Sequence, residues 1–304
     1  IISATTLAPC RKNWLSIWKQ WVSAPLGGCC FLFNGILILS ILCNRHLRSA
    51  REYWLTAALA FADFAEGLAS FIGAVYRLPY YYSESACYEF VDPLYCMALP
   101  HNIIWRWSDT ATSFMLVAMA INRLLAVNNP IAYSVRVAII MIVVVYGISV
   151  LCMIYAWIMP IQLQIAGVRL KIVCSTGGLI DSKYTEIIKY ATGIGSALSV
   201  LIHVAVAFKV RKFMKRLEDK TSIQAEKRGM SKKQIKFTVT SLIKGVCTLT
   251  LDSIPRIYGV YAMIQEQMTG VSSDNGGVGS FLFALSNLNG VLNVFIYASR
   301  QPEV

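Results

Sequence analysis

Long apolar runs constrain this chain more than any other feature. A helix needs about 20 consecutive, mostly apolar residues to cross the hydrocarbon core of a bilayer. Seven segments qualify, over residues 21–43, 54–76, 97–127, 135–160, 187–208, 237–264 and 278–298. The second, third and sixth carry several polar residues and are assigned from their surroundings as much as from hydropathy. Composition agrees: of 304 residues, 56% are hydrophobic and 14% charged, too apolar a mix for an ordinary soluble domain. The runs are too long and too unalternating to be the strands of a membrane barrel. The expected fold is an all-α membrane protein, a single seven-helix bundle over residues 1–304.

Charge sets the orientation. The formal net charge is +12, and eleven Lys and Arg fall between Lys209 and Lys236, against Glu218, Asp219 and Glu226. Arg45, Arg48 and Arg51 follow the first helix. At the other end, residues 77–95 hold Arg77 against Glu84, Glu89 and Asp92, and 265–277 hold only Glu266 and Asp274. Short loops rich in Lys and Arg stay cytoplasmic, which places the N-terminus outside. Arg11, Lys12 and Lys19 pull weakly the other way. The cations flank membrane spans, where lipid headgroups and cytosolic partners account for them without nucleic acid.

Cysteines sort by the same topology. Cys29, Cys30, Cys43, Cys152 and Cys247 lie within helices as ordinary buried thiols. Cys10, Cys87, Cys96 and Cys174 fall on the outer side, where disulfides persist, and four cysteines permit three pairings. No spacing suits zinc, and the three His are scattered at 46, 101 and 203. There is no Asn-x-Ser/Thr acceptor. The absence of an initiator Met or signal peptide suggests that the gene product begins upstream of Ile1.

An ionised group at the bilayer centre costs on the order of 2.5–3.5 kcal/mol, so it needs a partner or a task. Asp63 sits mid-span in the second helix and Asn34 at similar depth in the first. Ser286, Asn289, Asn293 and Tyr297 share one face of the seventh; Trp105, Asp109, Thr112, Leu116, Met119 and Arg123 form a stripe on the third. Hydrogen bonding between helices is the simpler explanation, above all for Asn34. An acid joined by several neutral oxygens fits a hydrated cavity or a small cation site better.

These residues carry a resemblance. Asn122-Arg123-Leu124, followed by Pro130 and Tyr133, resembles the Asp/Glu-Arg-Tyr motif of rhodopsin-like (class A) G-protein-coupled receptors. Leu59-Ala60-x-x-Asp63 is similar to that family's second-helix signature and Asn34 to its first-helix Asn. Asn293-Val294-Phe295-Ile296-Tyr297 resembles Asn-Pro-x-x-Tyr, with Val for Pro, and Pro255 the sixth-helix kink proline. Five such matches, in order, cover nearly the whole chain. There are departures: Asn122 replaces an acid, Ile235 and Lys236 stand where the sixth helix usually starts with one, and Ser253 replaces a toggle Trp. The fourth helix lacks its usual Trp and the fifth its Pro. This loose pattern is similar to the chemosensory receptor families of nematodes. Without its acids the family's resting ionic lock fails, and raised basal signalling is expected.

The resemblance implies a plasma-membrane receptor that binds an extracellular ligand and activates a heterotrimeric G protein through Asn122, Arg123, Pro130, Tyr133, Pro255, Asn293 and Tyr297. A small chemosensory ligand is favoured; the alternative is a neuropeptide. Trp105 stands where aminergic receptors place their amine-binding Asp, which argues against an amine. Asp63, Thr112, Asn289 and Asn293 fall on the family's sodium-binding positions and all offer oxygen, which suits a hard cation as allosteric modulator; no other cofactor is required. Cys96 would pair with Cys174, although it lies slightly farther from Arg123 than usual and Cys87 is a rival. The implied pocket holds Trp105, Asp109, Arg256, Glu66, Tyr258 and Ser286, with Tyr76 and Tyr261 as further aromatic walls unless they belong to an interfacial belt. Asp109 faces Arg256 across the bundle, or Arg106 with Asp109 and Asp252 with Arg256 form local pairs; the local pairs are the simpler arrangement. The chain ends seven residues after Tyr297, before the amphipathic helix that usually follows.

Rival classes fit less well. A retinal pigment needs a Schiff-base lysine in the seventh helix, and Val278 to Ala298 contain none. A small-solute transporter would favour internal repeats and broken helices. An enzyme needs a nucleophile, a base and an orienting group together, and no such cluster occurs.

Overall fold

The computed structural model describes residues 14–49, 51–83, 88–128, 134–174, 179–180, 182–218, 243, 245–269 and 285–296. In chain order these form α1 (Trp14–Cys43), α2 (Arg45–Ser49), α3 (Arg51–Ser83), β1 (Phe90–Val91), α4 (Pro93–Ala98), α5 (Pro100–Asn128), α6 (Val135–Tyr155), α7 (Ile158–Ile165), β2 (Leu170–Lys171) and α8 (Ser182–Glu218). A π-helical turn (Leu249–Ser253) then runs into α9 (Ile254–Thr269), and α10 is Leu285–Ile296. Among the described residues five helical stretches are long and apolar enough to cross a membrane: Ser16–Cys43, Tyr53–Ser83, Pro100–Asn128, Val135–Ile165 and Lys183–Lys212. The predicted sixth and seventh spans lie partly outside the described residues. The chain is a multi-pass, mostly helical bundle.

Most helices overrun the predicted spans. Hydropathy falls where the chain leaves the hydrocarbon, but the backbone hydrogen-bond ladder does not stop there. So α3 continues to Ser83 and α8 starts at Ser182 and reaches Glu218. Pro25 and Pro79 are carried inside α1 and α3. The predicted fourth span breaks after Tyr155 and resumes as α7, which closes at Gly167 in a left-handed conformation (φ 68°). There the Val168 amide bonds Leu163 and the Gly167 amide bonds Gln164, satisfying the last carbonyls. The all-helical expectation also needs a small correction: β1 and β2 pair antiparallel, Phe90 with Lys171 and Val91 with Leu170.

Burial separates core faces from lipid faces. On α1 the buried positions are 17, 20, 23, 27, 30, 34, 37 and 41, one stripe at helical period. That stripe packs on α3 at a crossing only glycine permits. A Cβ on Gly27 would stand 2.8 Å from the Gly67 carbonyl oxygen, and one on Gly67 would stand 2.7 Å from the Phe31 nitrogen. On α6 only Ala138, Val145 and Ser149 are buried, while Ile140, Val143, Val144 and Leu151 are exposed. Large apolar side chains in such numbers on one face suit contact with lipid. Between α3, α5 and α6 lies a core of Leu55, Leu59, Met115, Leu116, Met119, Ala138 and Val145. Hydroxyls within the spans bond back to the preceding turn, as Ser113 does to Asp109, Ser149 to Val145 and Thr192 to Ile188.

Candidate functional site

Many of the polar residues described gather in two centres. The outer, so named for the α4 end of the bundle it lies nearer, is built on charge. Arg256, in the first turn of α9, sends Nη1 to Asp109 Oδ1 on α5 and Nε to Asp252 Oδ1 in the π turn, both at 2.9 Å. Asp252 is 1% exposed; its Oδ1 also accepts from Ser286 on α10 (3.0 Å) and its Oδ2 from Ser196 on α8 (3.1 Å). Ser196 and Ser253 share a further hydrogen bond of 2.6 Å. One ion-paired network thus joins α5, α8, the π turn with α9, and α10.

Sequence local to Arg256 explains the geometry. Pro255 has no amide hydrogen to give the carbonyl four residues back, and its ring crowds that turn. The backbone widens, so that the Ile254 amide reaches the Leu249 carbonyl. Asp252 and Ser253 are both buried on the widened turn. The arrangement preferred from sequence therefore needs correction: Asp252–Arg256 forms, but so does the pair across the bundle. Arg106, the local candidate for Asp109, instead lies with Cζ 5.7 Å from the Trp105 ring centroid, and its Nε is buried without a hydrogen-bond partner.

The inner centre is dressed with neutral groups. Asn293 Nδ2 donates to Asp63 Oδ2 at 3.3 Å. Asn34 donates to the Cys30 carbonyl (2.9 Å) and the Gly290 carbonyl (3.3 Å), tying α1 to α10. The Oδ1 atoms of Asn289 and Asn293 are buried without hydrogen-bond partners. Thr112 donates to Glu66 Oε2 (3.3 Å), so in this arrangement its hydroxyl is turned to Glu66 and not to Asp63. A buried carboxylate with two orphaned amide oxygens fits a small hard cation or a water. Among the described residues no three His, Cys, Asp or Glu side chains are grouped to hold a transition metal.

The α4 end of the bundle is capped. Cys96 and Cys174 form a disulfide, joining α4 to the segment after β2; Cys10 and Cys87 lie outside the described residues. Arg77 donates to the Val173 and Cys174 carbonyls and Tyr76 to that of Ile172, holding Cys174 in a left-handed conformation (φ 49°). Tyr76 thus belongs to the cap. Tyr261 is 60% exposed, which suits an interfacial belt, while Tyr258 and Trp105 are half-buried.

At the other end of α5, Asn122 and Arg123 are buried, and the Asn122 Oδ1 has no hydrogen-bond partner. Lys209 of α8 bonds Asn128 at 2.6 Å, closing the helix ends. Pro130, Tyr133, Ile235, Lys236 and Tyr297 lie outside the described residues. Ser196 was not singled out from sequence: between Gly195 and Ala197 it reads as one more small residue bonded to its own helix.

Compared with known protein families, residues 33–297 match the 7 transmembrane receptor (rhodopsin family). Among curated proteins, a 104-residue stretch is 36% identical to the trissin receptor of Drosophila melanogaster. The match takes in 34% of this chain and 14% of that protein, so it spans well under two thirds of the relative's length.

Proposed function

The chain belongs to the rhodopsin family of 7 transmembrane receptors, and from that premise we propose that it is a peptide receptor that activates a heterotrimeric G protein. It is a multi-pass protein of the plasma membrane and not an enzyme. What carries the reading is the extent of the family match, which takes in Asn34, Asp63, Arg123, Pro255 and Asn293 together. In this reading there are seven spans, the N-terminus is outside, and the basic 209–236 segment faces the cytosol.

The likeness to the trissin receptor favours the neuropeptide alternative over the small chemosensory ligand that the motif departures suggested. The ligand would enter beside the Cys96–Cys174 cap and reach Trp105, Asp109, Glu66, Tyr258 and Ser286. Asp63, Asn289 and Asn293, with Thr112 once its hydroxyl turns from Glu66, would hold a sodium ion, which supplies positive charge that favours one arrangement of the bundle. Signalling is a population shift: a ligand binding better to the open bundle moves the sixth helix about the Pro255 turn. Arg123 then meets the G protein in the opened inner cleft, with Asn293 and the outlying Pro130, Tyr133 and Tyr297 shaping it.

The test is nucleotide exchange on a purified heterotrimer by receptor reconstituted in nanodiscs. Arg123→Ala is expected to abolish receptor-dependent exchange while leaving surface expression largely intact. Unchanged exchange would refute that role.

A further inference from the structure

From the network around Arg256 we infer a resting-state brace: the chain Asp109–Arg256–Asp252, with Ser196 and Ser286, holds the sixth helix against the bundle until a ligand disturbs Asp109. This rests on the receptor reading given above, and it assigns Asp252, Ser196 and the cross-bundle pair a positioning role.

Three observations support it. The network links α5, α8, α9 and α10 through one guanidinium and one buried carboxylate, so moving α9 outward must break several of its bonds at once. It sits on the π turn, where Pro255 leaves the backbone ladder incomplete. Its members differ in access: side-chain exposure is 1% for Asp252, 13% for Arg256 and 34% for Asp109. Asp109 is therefore the member a ligand can reach, and Asp252 the member that transmits the change.

The geometry also orders the members. Arg256 has two carboxylates, so losing Asp109 leaves it paired with Asp252, whereas losing Arg256 leaves two acids facing each other with no cation between them. Arg256→Gln therefore shifts the resting equilibrium more than Asp109→Asn. With charge-assisted hydrogen bonds at stake, the Arg256→Gln shift is on the order of tenfold.

The experiment uses the full receptor in nanodiscs, with two readouts. Hydrogen–deuterium exchange is followed in peptides covering Leu249–Ser253 and α9, and basal nucleotide exchange is measured with a purified heterotrimer. Arg256→Gln is expected to raise amide exchange in the π turn by about tenfold and raise basal activity, with Asp109→Asn showing a smaller rise in both. The double variant Asp109→Asn/Arg256→Gln is expected to show no larger effect than Arg256→Gln alone, because removing the Asp109 charge takes away one of the two facing acids. Wild-type amide exchange in all the variants, or a double variant whose effects simply add, overturns the brace. If Arg256→Gln lowers expression too far to purify, Asp109→Asn and Ser196→Ala carry the same test, and no change in either overturns it. Loosened amides with no G-protein activity in any variant would leave the brace standing and sink the receptor reading.

Discussion

The two polar centres of this bundle handle buried charge in opposite ways. Around Arg256, charge meets charge: Asp109 and Asp252 both bind the guanidinium, and two serines take up oxygens of Asp252. Around Asp63 the dressing is amide: Asn293 donates to the carboxylate, and the orphaned oxygens of Asn289 and Asn293 stand by. The first arrangement is complete by itself and so holds the helices in one relation. The second suits an added cation or water, and so can respond to what occupies it. A buried pair is costly to break chiefly because one partner is left charged and alone; a carboxylate among amides carries no such penalty when it is made neutral.

That contrast can be broken by experiment. The largest effect is expected for Asp252→Ala, which strands Arg256 beside Asp109 alone and removes the acceptor of Ser196 and Ser286. A loss of about 3–5 kcal/mol is expected in thermal or chemical unfolding of the purified receptor, and a change under 1 kcal/mol would show that the outer centre is not held by charge. Smaller is Ser286→Ala, which removes one hydrogen bond to a charged group that keeps other partners. A cost of about 1 kcal/mol is expected, with basal signalling raised only slightly. The smallest direct effect is expected for Asp63→Asn: stability in sodium-free buffer stays within about 1 kcal/mol of the wild type, but the added thermal protection given by sodium chloride over choline chloride disappears. Equal protection of wild type and variant by the two salts would remove the sodium ion from the account. At the crossing of α1 and α3, Gly67→Val forces a side chain into the Phe31 backbone, and reduced surface expression is expected without any selective change in coupling.

Much of this is legible in the sequence. Spans announce themselves because lipid tolerates no unpaired backbone, and the third-helix stripe appears as read: Thr112, Leu116, Met119 and Arg123 are buried on one face. The disulfide of Cys96 came from resemblance, since spacing alone left three pairings. The cross-bundle pair was open from sequence because local pairing uses the same residues. Asp252 and Asp109 reach Arg256 from different helices, and only the third dimension shows that one guanidinium serves both. The π turn, the Ser196 contact and the short β1–β2 ladder left no periodic mark. A proline announces a kink but not which residues the widened turn will bury, and a two-residue ladder has no alternation to read. Thr112 took Glu66 over Asp63, a choice made by side-chain reach and not by helical period.

The central claim is that a peptide, acting through this bundle, drives a G protein. It is tested most directly by heterotrimer dissociation in cells expressing the receptor, challenged with tissue extracts before and after protease digestion, with Arg123→Ala as the paired control. The account predicts a response that protease destroys and that Arg123→Ala lacks. A response that survives protease would contradict the peptide assignment and restore the small chemosensory ligand. A response undiminished in Arg123→Ala would contradict the coupling mechanism itself.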